Sequence, residues 1–563
     1  MSKTIREAVE AFVYPHLEYF TSMVYENGED TVFHGIRVLD DKEKFTQGAL
    51  VNAASLLYAY YVRTNNAKSE EVLSRLHAFI KIAAATQCKT WGKLGILRGF
   101  NVLYENGLLD RVSKDCIELV KERTDYVDFF DKNTIETPGM ATNYMQVAMA
   151  CAGYREKLGW ENDGYAKIIR DKLSRIISEQ CENGWMDDEI PYGRYDRYSL
   201  VISSEFFDTA IDVGLELPEN IKHNLKEAAN VALFMANKRG DGVLFGRSVP
   251  CHGDCTGAEV LASALAAGLV ENKSVPVALA YIMQIIRKLL DVWYDPDEKT
   301  FNMWWGGRAT NYYRGTGRIL EVNLDLANHL CTTLKNIERA GYADTEIDLT
   351  ALSMPDAWKL YTVDFLVKNN NVKKVIFMRR KDLLISLPFV GHGKNWGRRS
   401  AYYAFPVIPA TIEASAVADI PFFIPEYTTA DGKKYRTCQH FNSVEIKDLD
   451  NGAIIVAKGN LASADTNTPE RSDYCFEISY TLKSDSICVS FTSDVPAILT
   501  EMFTGKVNER AMISTYGFDA SENVNTEGKD CFDGLHGKIF DAKRHTTLNN
   551  GNFGYEINFK DCF

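Results

Sequence analysis

The spacing of the apolar residues changes near residue 345, and this change restricts the fold more than any other feature of the chain. Upstream, apolar residues recur about every 3.6 positions, which is typical of amphipathic helices. Downstream of residue 370 they alternate with polar residues, as in KKVIFMRR and CFEISYTL, which indicates antiparallel strands with one solvated face. The helical pattern covers residues 49–63, 69–86, 140–157, 165–179, 200–213, 220–237, 259–267, 275–292 and 318–340.

Polar links that contain glycine and aromatic residues, such as ENGWMDDEIPYG and KRGDGVLFGRS, separate the helical segments. Repeated helix–loop–helix units indicate stacked helical hairpins, and the fixed repeat length of a solenoid is not visible in the sequence. We therefore predict an α+β multidomain protein in which residues 1–345 form an (α/α)6-type helical toroid. We expect residues 370–563 to form an antiparallel β-sandwich, with residues 349–372 as the connection.

Composition excludes several classes of protein and of partner. The chain has 563 residues, of which 46% are hydrophobic and 25% charged, so it is neither disordered nor a coiled coil. A net charge of −13 argues against nucleic acid as a partner. The start of the chain lacks the apolar stretch of a secretory signal, and no window is apolar enough for a membrane span. We therefore expect a cytoplasmic protein without membrane association, and a homo-oligomeric state stays open.

The first candidate site follows the Gly-Trp turn at 184–185, where Asp187, Asp188 and Glu189 stand in a row. Adjacent carboxylates repel each other, so at least one of them should have a raised pKa, as a general acid requires. Tyr195 and Asp196 follow, in a segment rich in tyrosine and arginine. For any single acid here, a helix cap or a solvated surface position is the competing interpretation.

A second polar segment leads into the apolar helix predicted at 259–267. His252 can transfer protons near neutral pH, and Asp254 can orient it or act as a carboxylate catalyst. Arg247, in the string Phe-Gly-Arg-Ser, can hold a substrate carboxylate with two hydrogen bonds, or else pair internally. The Cys-His-Gly-Asp-Cys spacing at 251–255 does not match a zinc motif, so we predict no metal site and no cofactor.

A third segment combines paired tryptophans with tyrosines and arginines. Trp304 and Trp305 precede two glycines, which favours an exposed platform on which sugar rings stack. Tyr313, Arg314 and Arg318 follow and are suited to proton transfer and to the binding of an acidic group. A fourth candidate, Asn143, begins an apolar helix and acts either as its N-cap or as a hydrogen-bond partner of the substrate.

Three of these strings resemble the bacterial domain-of-unknown-function family 2264, which is grouped in part with glycoside hydrolase family 154. They are the acidic Gly-Trp turn at 184–188, the segment at 195–198 and the string Phe245-Gly246-Arg247-Ser248. The resemblance implies an α/α toroid with a C-terminal β-domain and an activity similar to that of β-glucuronidases. No P-loop, dinucleotide-binding or serine-hydrolase motif is present in the sequence.

Residues and resemblance together lead us to predict a glycosidase that acts on oligosaccharides containing a uronic acid. Asp187 or Asp188 would be the general acid, and Asp254 or Asp196 the base. The expected substrate contacts, for the uronate carboxylate and for stacking on sugar rings, are Asn143, Tyr195, Asp196, Arg247, Trp304, Trp305, Arg314 and Arg318.

Two alternatives stay open at this point. A uronate lyase would use a tyrosine or histidine to remove a proton and an arginine or asparagine to neutralise the carboxylate. Asn143, His252, Tyr312 or Tyr313, and Arg314 provide such a set. The other alternative is a carbohydrate-binding protein without catalytic activity.

Overall fold

Twelve α-helices occupy the first part of the described chain. The computed structural model describes residues 2–40, 44–125, 142–161, 164–180, 185–186, 194–246, 249, 251–304, 316–368, 371–391, 403–408, 423–464, 470–505, 511–524, 532–533, 537–538, 543–548 and 551–562. The helices are Ile5–Asn27 (α1), Thr46–Arg63 (α2), Ser69–Ala85 (α3), Thr90–Glu105 (α4), Lys114–Arg123 (α5), Thr142–Lys157 (α6), Tyr165–Gln180 (α7), Arg197–Val213 (α8), Glu219–Met235 (α9), Cys251–Ala266 (α10), Val275–Lys288 (α11) and Ile319–Arg339 (α12). Within these ranges, no helix is long and apolar enough to cross a membrane.

The helices form a closed double ring. The even-numbered helices contact one another in the order α2, α4, α6, α8, α10 and α12, and α12 returns to α2. The odd-numbered helices pack outside this ring, each against inner neighbours or against one another. Asn52 of α2 donates a hydrogen bond from Nδ2 to Oδ1 of Asn328 in α12 at 2.8 Å, where the ring closes. The prediction of an (α/α)6-type toroid is confirmed.

Glycines let the inner helices approach each other closely. A β-carbon at Gly48 of α2 would lie 2.0 Å from the backbone oxygen of Gly92 in α4, and one at Gly95 would lie 2.8 Å from the backbone of Gly48. Only hydrogen fits at these positions. The contact explains why α4 is helical although glycine weakens an isolated helix by about 1 kcal/mol per residue relative to alanine.

The described strands pair antiparallel throughout. Two short hairpins lie within the helical region, Val32–Phe33 (β1) with Ile36–Arg37 (β2) and Tyr294–Asp295 (β3) with Thr300–Phe301 (β4). The later strands are Lys359–Lys368 (β5), Asn371–Arg380 (β6), Leu383–Phe389 (β7), Glu426–Thr429 (β8), Lys434–Arg436 (β9), Phe441–Leu449 (β10), Gly452–Ser463 (β11), Arg471–Leu482 (β12), Ser486–Ser493 (β13), Ala497–Thr504 (β14), Met512–Tyr516 (β15), Ala520–Asn523 (β16), Phe532–Asp533 (β17), Gly537–Lys538 (β18), Lys543–Thr547 (β19) and Phe553–Asn558 (β20).

These strands form a small sheet and a large curled sheet. The small sheet has the order β5-β6-β7. The large sheet runs β15-β20-β13-β12-β11-β9-β8-β14-β19-β16, with β10 paired to β11, and β17 and β18 form a separate hairpin. Helical toroid and antiparallel β-domain are thus both present, as the change of apolar spacing predicts.

The small sheet lies between the apolar core of the toroid and the apolar core of the β-domain and contributes side chains to each. In β6, Val375 and Phe377 face the apolar core of the toroid, whereas Ile376 and Met378 face the core of the β-domain. Alternation along a strand sends neighbouring side chains to opposite faces, so one sheet joins the two parts. Strand β5 lies inside the segment 349–372 that the sequence predicts as a connection. The boundaries 1–345 and 370–563 stay predictions.

Candidate active site

Two cavities lie along the central channel of the toroid. Residues near the beginnings of α2, α4, α6, α8 and α12 line a cavity of about 380 Å³, which we call the N-terminal cavity. Residues further along the same helices line a second cavity of about 260 Å³. These inner helices therefore run in the same direction. Arg98 and Asp208 are among the residues that line both cavities.

Asn143 lies in the wall of the N-terminal cavity. It is the second residue of α6 and is only 3% exposed, so it stands inside the first turn and is not the cap. Its Oδ1 accepts no hydrogen bond from any residue that the structure describes. A buried amide that is not satisfied within the protein is suited to a polar group of a ligand.

Arg98 of α4 brings a positive charge to the channel. Among the described residues it has neither a hydrogen-bond partner nor an ion-pair partner within 4.0 Å, although Glu205, Asp208 and Asp325 act on it from further away. Their charges outweigh burial and raise the pKa of Arg98. This guanidinium can therefore form two hydrogen bonds with a carboxylate of a bound substrate.

Helix α8 contributes two carboxyl groups with raised pKa. Burial raises the pKa of Glu205 to about 7, and the charge of Glu259 adds to this effect. Burial also raises the pKa of Asp208 to about 6, against the hydrogen bond that Asn336 donates to it. The sequence analysis expects such an acid among Asp187 and its neighbours.

A network of histidines and carboxylates borders the same cavity. The Nε2 atom of His329 lies 3.4 Å from Oδ2 of Asp325, and its Nδ1 atom lies 3.2 Å from Oε2 of Glu259. Burial lowers the pKa of His329, but the two carboxylates outweigh it and raise the pKa well above its ordinary value. Burial by itself raises the pKa of Asp325. The charges and hydrogen bonds of His329 and His252 outweigh it and hold this pKa well below its ordinary value.

Two tyrosines also line the N-terminal cavity. Tyr144 follows Asn143 in α6, and Tyr198 is the second residue of α8. The guanidinium carbon of Arg197 lies 4.8 Å from the ring centroid of Tyr198, which is a cation–π contact. A phenol hydroxyl held beside a cavity can accept and return a proton.

The structure places His252 and Asp254 in helix α10, where the sequence analysis expects a loop. The helix begins at Cys251, and Gly253 packs so closely on Val243 that a β-carbon would lie 2.0 Å from its backbone oxygen. The glycine therefore serves helix packing and does not break the helix. His252 is buried, and its Nε2 lies 3.5 Å from Oδ2 of Asp325.

Asp254 is fully buried and is held by structural contacts. Its Oδ1 accepts a hydrogen bond from the backbone of Gly242 at 2.9 Å, and its Oδ2 accepts one from Nε1 of Trp293 at 3.0 Å. The ammonium group of Lys288 lies 3.0 Å from the same Oδ2. Burial raises its pKa to about 6. Asp254 is not among the residues that line either cavity.

Tyr195 and Asp196 hold the beginning of α8 in place. Asp196 is the N-cap, and its Oδ1 accepts a hydrogen bond from the backbone of Tyr198 at 2.8 Å. The ring of Tyr195 stacks on Phe365 of β5 at 4.9 Å. Gly246 has a φ of +83°, and a β-carbon there would lie 2.3 Å from Cβ of Asp196. Two strings singled out by sequence thus meet, but as a structural contact.

Trp304 and Arg318 have different surroundings. Trp304 is half-buried against the apolar core of the toroid and does not line the cavities. Arg318 lines the N-terminal cavity, where its Nη2 donates a hydrogen bond to Oε1 of Glu321 at 2.7 Å. The remaining predicted site residues lie outside the described residues, and they are Asp187, Asp188, Arg247, Trp305, Tyr312, Tyr313 and Arg314.

Sequence reasoning missed most of the polar residues that the inner helices bring into the channel. On α8, the positions 198, 205, 208 and 212 line the cavities, and on α12 the positions 321, 325, 328 and 332 do so. Steps of three, four and seven put these residues on one helix face. Polar groups at that spacing within apolar helices are the signal from which the channel could have been found.

No family model matches the chain, and no curated protein matches it. The chain is similar to the solved structure of the Streptomyces coelicolor A3 chondroitin AC lyase in complex with chondroitin sulphate, with 10% identity over 99% of this chain and 79% of that chain, at a TM-score of 0.50. Further matches are heparinase III (8% identity, 99% and 85% covered, TM-score 0.43) and a mutant of the heparan sulfate lyase HepC from Pedobacter heparinus (9%, 98% and 87%, TM-score 0.28).

These findings correct the leading functional prediction. The prediction of a glycoside hydrolase with paired carboxylates is wrong, because a solved structure with this fold is a lyase. The two described carboxylates proposed as bases, Asp196 and Asp254, also serve as a helix cap and a buried ion-pair partner. The resemblance to family 2264 is confirmed for the type of fold, an α-helical toroid of carbohydrate-processing enzymes, and stays a prediction for the family itself.

Proposed function

We propose that the protein is a lyase that cleaves uronic-acid-containing polysaccharides or oligosaccharides by β-elimination in the N-terminal cavity. One observation carries the proposal. The cavity combines a buried amide of Asn143, the guanidinium of Arg98 without an ion-pair partner among the described residues, and the phenol of Tyr198. The toroid that holds these groups has the fold of a chondroitin AC lyase, which supports this chemistry over hydrolysis.

Neutralisation of the substrate carboxylate is the first requirement of this reaction. A uronate anion makes the neighbouring C5 proton hard to remove, because a second negative charge would develop beside the first. The guanidinium of Arg98 and the amide Nδ2 of Asn143 are assigned as hydrogen-bond donors to this carboxylate, and Oδ1 of Asn143 is assigned to accept a hydrogen bond from a sugar hydroxyl. Arg98 is free to bind it, since no described residue already occupies its guanidinium within ion-pair distance. Hydrogen bonds to a charged group are shorter and stronger than those between neutral groups.

Proton transfer then completes the elimination. Tyr198, deprotonated to the phenolate, is assigned as the base that takes the C5 proton, and it becomes the neutral phenol. The C4–O4 bond breaks, the electron pair of the C5–H bond forms a C4=C5 double bond, and the O4 leaving group takes up a proton. Glu205 is assigned to donate that proton, because a pKa of about 7 leaves much of it protonated at neutral pH.

Arg98 and the helix N-termini are the groups at this end of the toroid that attract an acidic substrate. The chain carries a net charge of −13, yet the N-terminal cavity has Arg98, Arg197 and Arg318 in its wall. The beginnings of five inner helices also line it, and a helix N-terminus carries a partial positive charge. Arg197 and Arg318 are paired with Glu259 and Glu321, and Glu205, Asp208 and Asp325 also line the cavity, so the attraction for an anion comes from Arg98 and the helix N-termini.

A product analysis tests the proposal. The full chain is incubated with chondroitin sulphates, heparan sulfate and other uronic-acid polymers in oxygen-18 water. Elimination yields an unsaturated uronate that absorbs near about 235 nm, with no oxygen taken from water. New reducing ends with incorporated oxygen-18 and no absorbance would mean hydrolysis, and binding without turnover would mean a non-catalytic protein. Either result overturns the proposal.

A further inference from the structure

Three side chains with metal-ligating atoms converge beside the N-terminal cavity. They are His252 of α10 and both Asp325 and His329 of α12, and their ligand atoms all lie within 4.8 Å of one another. The Nε2 atoms of His252 and His329 lie 3.5 Å and 3.4 Å from the same oxygen, Oδ2 of Asp325. Asp325 and His329 are four residues apart, so they project from one helix face.

The spacing of these atoms fits a small divalent cation. Zinc binds histidine nitrogen and carboxylate oxygen at about 2.0 to 2.2 Å, usually in tetrahedral geometry. Two ligands at such distances are about 3.3 to 3.5 Å apart at a tetrahedral angle. The separations of 3.5 Å and 3.4 Å agree with this value. The third pair, the ligand nitrogens of the two histidines, lies within 4.8 Å, so the imidazoles move towards each other where one ion binds all three atoms.

The carboxylate of Glu259 contacts the second ring nitrogen of the ligand His329. Nδ1 of His329 lies 3.2 Å from Oε2 of Glu259, on the side of the ring away from Asp325. Metal-binding histidines almost always donate their second ring N–H to such a partner, which fixes the tautomer and orients the ring. Glu259 is itself buried and lies 3.8 Å from the guanidinium of Arg197.

We propose that His252, Asp325 and His329 bind a divalent transition-metal ion of the zinc type, with Glu259 as the supporting carboxylate. Imidazole ligands favour zinc and its neighbours over calcium and magnesium. Asp325 and His329 line the N-terminal cavity, so the fourth position of the ion faces the space assigned to the substrate. Three protein ligands with an open position are typical of catalytic zinc sites. The site stands whether or not the elimination proposal does.

The short Cys-His-Gly-Asp-Cys spacing at 251–255 gives no sign of this metal site. The three ligands come from two helices whose positions 252 and 325 are far apart in sequence. The competing explanation is an ion-paired network of histidines and carboxylates that binds protons only. It uses the same residues and differs in its response to added metal.

A titration of the full chain decides between them. Protein treated with a chelator and then freed of it is titrated with Zn²⁺ by calorimetry and with Co²⁺ by visible absorption. We expect one ion per chain with a micromolar or tighter dissociation constant, and absorption bands typical of tetrahedral Co²⁺. Absence of binding up to about 100 µM, or octahedral Co²⁺ spectra alone, overturns the proposal.

Variants locate the ion. His329→Gln and Asp325→Asn should lose the Co²⁺ bands, and Glu259→Gln should weaken binding by about 10- to 100-fold while the bands remain. His223→Gln, an exposed position on α9, is the matched control and should bind as the parent does. Circular dichroism shows which variants fold. If a variant of a ligand residue does not fold, the affinity of Glu259→Gln still tests the site. Equal affinity in all variants overturns the site. Metal binding is measured without substrate, so it fails or succeeds independently of lyase activity.

Discussion

The ammonium group of Lys288 lies 3.0 Å from Oδ2 of Asp254, and both side chains are buried. The same ammonium group lies 2.7 Å from Oδ1 of Asp241. One cation thus balances two carboxylates behind the wall of the toroid. The contact assigns Asp254 to the stability of the protein, whereas the sequence analysis places it in catalysis.

We therefore expect Lys288→Met to destabilise the protein strongly. Removal of the cation leaves two buried carboxylates without their counterion, which costs about 3 to 5 kcal/mol in the free energy of unfolding. Denaturant unfolding followed by circular dichroism measures the change. Lys273→Met, at an exposed ion pair with Glu271, should leave the free energy of unfolding almost unchanged. A loss below about 1 kcal/mol in Lys288→Met contradicts the role assigned to it.

Tyr198→Phe tests the proposed base. The ring and its contact with Arg197 remain while the proton acceptor is lost, so kcat/KM for elimination should fall by about 10²- to 10⁴-fold. The absorbance of the unsaturated product measures the rate. Tyr25→Phe, at an exposed tyrosine of α1, removes a hydroxyl far from the cavity and should leave the rate unchanged. Retention of most of the activity in Tyr198→Phe would move the base to another residue.

Arg98→Gln tests the recognition of the substrate carboxylate. Loss of a hydrogen bond to a charged group costs about 1.5 to 3 kcal/mol, so kcat/KM on a uronate substrate should fall by roughly 10- to 150-fold. Arg98→Lys keeps the charge and should recover part of this loss. A substrate whose carboxyl group is methyl-esterified can still undergo elimination but carries no charge there, so it should respond less to both substitutions. If the two substrates respond equally, Arg98 does not contact the carboxylate.

His16→Phe tests a pH effect on stability. His16 is buried among the rings of Phe12, Tyr294 and Phe301, and burial lowers its pKa to about 3 from an unfolded value near 6.5. Below pH 6.5 the unfolded chain therefore binds a proton that the folded chain does not. The contribution of neutral His16 to the free energy of unfolding is therefore complete above pH 6.5. It decreases on acidification by up to about 1.4 kcal/mol per pH unit.

Replacement of the imidazole by a phenyl ring keeps the packing and removes this proton. As the pH falls from 6.5 to 5, the free energy of unfolding of the parent should decrease relative to that of His16→Phe. Unfolding by denaturant at closely spaced pH values measures it. A difference that is constant over this interval would show that His16 is protonated equally in both states.

Some helices escaped prediction for a single physical reason. Helix α4 carries Gly92 and Gly95, and the first turns of α10 carry Gly253 and Gly257, so both segments look like loops by helix propensity. In the structure, these glycines lie where the backbone or bulky side chains of neighbouring segments approach, and those segments are helices for Gly95 and Gly257. Tertiary packing outweighs the small loss of propensity, and the sequence does not show which backbone will come close.

The apolar periods determined that a helical part is followed by antiparallel strands, because local burial dictates a period of 3.6 or of 2. Asn143 and Arg318 could also be named from sequence, and both lie at the N-terminal cavity. Only the tertiary structure decided that His252 lies beside Asp325 and His329, and that Asp254 forms an ion pair with Lys288. Closure of the ring brings together helices that are distant in the chain, and the periodicity of one helix says nothing about which partner its polar face will meet.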